Sequence, residues 1–182
     1  MKPINLLAIT SVVAVALLSS AATFANSKAE IDASVIESLN QFHLLNKNNE
    51  ILERKAAGVL VFPKVTKGGV GVAGEYGEGV LQVKGRTVGY YNVASASVGL
   101  TLGAAKRSEN ILFMTQESLD KFTNSKGWSV GADTGVALIS MGAGADYDTQ
   151  TMKKPILGFV YGEKGLIADL SIEGSKINKI ER

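Results

Sequence analysis

The stretch Gly58–Gly79, GVLVFPKVTKGGVGVAGEYGEG, most constrains what this chain can fold into. An apolar run, Val59–Phe62, meets Pro63, then a basic segment Lys64–Gly69, then apolar residues spaced by glycine. Proline has no N–H for a ladder, so a strand is expected to end at Pro63 and a turn to follow over Lys64–Gly69. The alternation at Val70, Val72 and Tyr76 has the period of a strand. Glycines weaken strands except where a sheet bends sharply or another backbone comes close. A strongly bent or barrel-like sheet is the architecture that uses them.

Upstream, Ile31, Val35, Leu39 and Phe42 recur at helical spacing with Ile36 and Leu45 beside them, so Ser27–Leu45 reads as an amphipathic helix. Asparagines at Asn46–Asn49 break it, and a second helix is expected over Glu50–Ala57, with Ile51 and Leu52 inward and Gly58 as its stop. These helices are expected to cover one face of the sheet. Downstream, Val80–Val83, Thr87–Val93, Ala96–Ala104, Ile111–Met114, Trp128–Leu138, Ile156–Tyr161 and Leu166–Ile172 read as strands. Lys84-Gly85-Arg86 is a hairpin turn, and Lys106–Asn110 reads as another turn. A short helix starting at Thr115 or Gln116 turns Leu119 and Phe122 inward, and Ile177 and Ile180 fall in a polar tail. The fold class is α+β, a mainly antiparallel, strongly bent or barrel-like sheet of about nine strands, with N-terminal amphipathic helices and one short internal helix.

The first residues read as a secretory signal. Lys2 precedes the uncharged run Leu6–Leu18, and Thr23-Phe24-Ala25 places small residues before a break at Asn26. That run is about 20 Å long as a helix, against about 30 Å for a bilayer core. An uncleaved anchor over Ile4–Phe24 is the alternative. The organisation is thus 1–25 signal peptide, 26–57 helical segment and 58–182 β-rich region, the last two forming one domain, exported and periplasmic or envelope-associated. The formal charge of +2, part of it from Lys2, argues against nucleic acid as a partner. There is no cysteine, so no disulfide supports the exported fold.

Chemistry-bearing patterns are sparse. His43 is the only histidine, which rules out a triad or a multi-histidine metal site. Asp146-Tyr147-Asp148 resembles the start of a calcium loop, but Thr151 and Leu157 stand where glycine and glutamate are needed. Glu75 and Glu78 lie three apart on a strand, a poor spacing for paired carboxylates. The glycines of Gly68–Gly79 are followed by strand, not helix, and lack a Gly-Lys-Ser/Thr ending, so a phosphate loop is not expected. Spanning strands of an outer-membrane barrel need about 9–11 residues and aromatic girdles, which these runs do not supply. No enzyme activity and no cofactor are expected.

VLVFPKV with GGVGVAGEYGEGVL, then SVGLTLG at Ser97–Gly103, ILFMTQESLDKF at Ile111–Phe122 and GLIADLSIEG at Gly165–Gly174 resemble the SYLF domain family, also described as lipid-binding or actin-binding domains. The resemblance covers nearly all of residues 26–182 and implies lipid binding. It makes this chain a non-enzymatic periplasmic or cell-envelope module for lipid or another apolar ligand; a structural or protein-interaction module supporting envelope integrity is the alternative. Lipid head groups would meet Lys47, Arg54, Lys55, Lys64 and Lys67, and Ile31, Val35, Leu39 and Phe42 would supply apolar area, unless those four are core. Partners are then a lipid or membrane surface, or an unidentified envelope protein; actin is not expected in an exported context. The helical segment carries Lys28, Lys47, Arg54 and Lys55 against Glu30, Asp32, Glu37, Glu50 and Glu53, so electrostatic attraction to anionic lipid is weak.

Overall fold

The computed structural model describes residues 26–131, 135–141, 151–165 and 174–182. Helix α1, Lys28–Leu45, is followed by α2, Asn48–Lys55, and by two long strands, β1, Gly58–Val83, and β2, Arg86–Phe113. Helix α3, Gln116–Thr123, then leads to β3, Trp128–Ser129, β4, Val136–Met141, β5, Ile156–Gly165, and β6, Lys176–Ile180. The expected signal segment 1–25, the acidic loop Asp146–Asp148 and the strand Leu166–Ile172 lie outside the described residues.

The helix ends follow from side-chain chemistry. Ser27 caps α1 through a reciprocal box in which its Oγ accepts from the Glu30 N–H and its own N–H donates to Glu30 Oε2 at 2.8 Å. That contact lowers the Glu30 carboxyl pKa. Thr115 caps α3, its hydroxyl accepting from the Ser118 N–H. Within α2 the expectation for Ile51 fails: Leu52 is buried, but Ile51 is 45% exposed. Eight residues give α2 one narrow inward face, and Asn49 occupies part of it, donating to the Phe42 carbonyl from a fully buried position.

The sheet is mixed and strongly curled, in the order β3-β6-β2-β5-β4, with β1 on β2. Several expected short strands are segments of one long antiparallel ribbon, β1–β2, closed by Lys84 and Gly85 in the left-handed region. Pro63 does not end β1. The register shifts between Phe62 and Val65, and this bulge takes the proline out of the ladder while the strand continues through Lys64–Gly69. Lys106–Asn110 is likewise strand, paired with β1 on one edge and β5 on the other. Ile177 is core rather than tail, since β6 pairs with Tyr90–Ala94 of β2. Between Trp128 and Leu138 only the ends are strand among the described residues, and β4 runs parallel to β5.

The ribbon folds back on itself, and glycine permits it. A Cβ on Gly79 would lie 2.0 Å from the Val61 carbonyl oxygen, and one on Gly77 would lie 2.8 Å from Val65 Cγ2. The two halves of β1 therefore touch backbone to backbone, as the glycine pattern led us to expect. Both faces of the sheet are covered. Ile31, Val35, Leu39 and Phe42 of α1 pack on Val59, Val61, Leu112, Phe159 and Tyr161. On the other face Leu119 and Phe122 of α3 pack with Leu60, Phe62, Tyr91 and Phe113. Phe42 stacks on Tyr161 at 5.5 Å. The Tyr161 hydroxyl meets Ser38 Oγ at 2.7 Å and Asn110 Oδ1 at 3.2 Å, tying α1 to β5 and β2, and burial raises its pKa to about 12.

Candidate functional site

The nine residues expected to meet lipid separate into three groups. Ile31, Val35, Leu39 and Phe42 are core, each at most 9% exposed, and in this conformation present no surface to a bilayer. Lys67 is also buried, on the inner side of β1. Lys47, Arg54, Lys55 and Lys64 are exposed. Lys47 lies in the link at the corner where α1 passes into α2, Arg54 and Lys55 end α2, and Lys64 lies on β1.

That corner carries apolar residues which the helical periodicity did not single out as surface. Leu44 is 87% exposed, Leu45 44% and Ile51 45%. They flank the short link Asn46–Lys47, where Asn46 Oδ1 accepts from the Asn48 N–H. Charges here are partly matched within the corner: Arg54 Nη2 lies 3.3 Å from Glu50, and His43 Nε2 contacts Glu53. An exposed i,i+4 pair of this kind stabilises by about 0.3–0.5 kcal/mol and leaves the side chains mobile. Lys47 adds exposed positive charge in the link next to the leucines, and Lys55 adds it at the C-terminal end of α2. One sequence signal could have found the corner. Leu44-Leu45 ends a helix whose inward stripe is already filled by Phe42 and Leu39.

A second concave feature lies where β1 folds back. A groove of about 610 Å³ is lined by Asn26, Lys64, Thr66, Glu75, Tyr76 and Glu78, with glycines between them. Both glutamates are buried, and each is paired with an arginine. Arg107 Nη2 donates to Glu75 Oε1 at 2.9 Å, and its Nε donates to Glu109 Oε1 at 2.7 Å. Glu78 Oε1 accepts from Tyr76 at 2.8 Å and contacts Arg182. Burial pushes Glu109 up to about 7; Arg107 opposes that shift and the neighbouring Glu75 carboxylate adds to it. Its Oε2 has no hydrogen-bond partner. This charged interior was missed because a polar run, Lys106–Asn110, reads as a surface turn until the fold pairs its charges across the ribbon.

Among the described residues no group of three His, Asp or Glu is placed to hold a metal ion, and no helix is long and apolar enough to cross a membrane. No curated protein matches the chain. Residues 94–181, from within β2 to just past β6, match the family described as Ysc84, Las17-binding protein actin regulator. Over that region the chain is similar to the Ysc84 (SYLF) domain family, as the motifs from Ser97 onward led us to expect.

Proposed function

We propose that this protein is a non-enzymatic lipid-binding module of the cell envelope, exported by the segment ending near Ala25, which meets the bilayer through the α1–α2 corner. The observation that carries the reading is the exposure of Leu44, Leu45 and Ile51 on either side of the α1–α2 link, with Lys47 in the link and Lys55 at the end of α2. Burying one large aliphatic side chain is worth roughly 1.5–3 kcal/mol, so three inserted at an interface give reversible binding without a spanning helix. A lysine near an anionic surface adds about 1 kcal/mol. Apolar insertion is therefore the larger contribution. It is supplied by the corner and not by the α1 stripe, which the core occupies.

Co-sedimentation of the protein lacking residues 1–25 with neutral and with anionic vesicles tests this. Retention on both is expected, somewhat greater on the anionic ones; no retention on either contradicts the reading. A protein-interaction module is the second reading, favoured by the description of the family as Las17-binding. Native purification followed by mass spectrometry separates the two, because co-purifying lipid supports the first and a stoichiometric protein supports the second.

A further inference from the structure

Glu78 presents a buried carboxylate with its two oxygens divided between different parts of the chain. Its side chain is 1% exposed. Oε1 accepts from Tyr76 and contacts Arg182. Oε2 accepts from the backbone nitrogen of Asn26 at 3.1 Å and from Asn26 Nδ2 at 3.4 Å. Asn26 is the residue that follows the expected cleavage point, and the one that precedes the Ser27 cap of α1. A carboxylate buried in the sheet thus holds the backbone atom that cleavage would convert to an amine.

We propose that Glu78 is a receptor for the α-ammonium group released by hydrolysis of the Ala25–Asn26 bond, so that processing locks α1 onto the sheet. This inference rests on the export reading above. In the hydrolysis, catalysed by a signal peptidase, the hydroxyl of water goes to the Ala25 carbonyl carbon. The C–N bond breaks, and the Asn26 nitrogen leaves as an amine that takes up a proton at neutral pH. Before cleavage the donor to Glu78 Oε2 is a neutral amide N–H. Afterwards it is a charged group, and charge-assisted hydrogen bonds are roughly twice as strong as neutral ones.

The charge also meets a compensated environment. A cation at a helix N-terminus is disfavoured by the helix dipole. Here Glu78 meets the position directly, Tyr76, Glu75 and Lys64 line the same groove, Arg182 shares the Glu78 carboxylate through its other oxygen, and Glu30 is bonded to the adjoining Ser27. Holding Asn26 fixes the start of α1, and one turn further on Tyr90 donates to Asp32 at 2.9 Å. The unprocessed chain lacks the charged contact, so its helix docks less firmly than that of the exported form.

The test uses the full-length chain, exported by a bacterial host and recovered in processed form. Its N-terminus is read by mass spectrometry, and the amine is titrated through the pH dependence of its acetylation by trace acetic anhydride. An N-terminus at Asn26 with an amine titrating at least one unit above the ordinary ~7.7–8.0 is expected, returning to that range in Glu78→Gln. An ordinary value in the unsubstituted protein overturns the latch and leaves the export reading standing. An N-terminus elsewhere overturns both. A second measurement is independent of Glu78→Gln folding: a chain retaining Ala25 displaces the charge, and its Tm is expected to fall by about 3 °C. Equal Tm values for the two chains also overturn the proposal.

Discussion

Glu109 shows how one residue sets a pH response. It is 1% exposed, shares Arg107 with Glu75, and leaves one oxygen without a partner. With its pKa raised from 4.5 to about 7 on folding, it binds more proton in the folded than in the unfolded chain between those values. Stability therefore falls as pH rises through that window and levels off above it. Glu109→Gln keeps the shape and is always neutral, so its urea midpoint measured from pH 5 to 8 is expected to lose that contribution to the slope. An unchanged slope would show that Glu109 is ionised throughout. Such residues are the least legible in a sequence. Arg107 and Glu109 look like solvated turn charges, and only Glu75, arriving from the other half of the ribbon, makes them an interior cluster.

At the level of elements, glycine spacing proved the most informative signal. Gly79 and Gly74 lie on the same strand yet differ in what surrounds them: a Cβ on Gly79 meets the Val61 carbonyl at 2.0 Å, and one on Gly74 meets nothing within 4 Å. Gly79→Ala is expected to destabilise by about 3 kcal/mol, the upper range for over-packing, because backbone must move to admit the methyl. Gly74→Ala is expected to be neutral within about 0.5 kcal/mol. Urea unfolding of both variants checks the pair, and equal losses would mean that the ribbon does not fold back on itself. The sequence carried this bend in its glycines, but not the path through it. Pro63 and the lysines after it signalled an end to β1, whereas a bulge carries the strand past them. Ile177 was hidden for a simpler reason: five residues of β6 alternate too briefly, among lysines, to announce a strand.

In the whole molecule α1 has two tasks. Its stripe, Ile31 to Phe42, closes the core over β1, β2 and β5, and its end, with α2, carries the exposed leucines. The family match spans residues 94–181, so the corner lies outside it. The sequence has no cysteine, so a single introduced thiol reports one position cleanly. The most direct measurement is an environment-sensitive fluorophore placed at Leu44→Cys, and separately at Lys126→Cys beyond α3, with vesicles added to each. A blue shift and quenching by lipid-borne nitroxide are expected at position 44, and an unchanged spectrum at position 126. A shift at 126 without one at 44, or vesicle binding with both labels still in water, would contradict insertion through the corner.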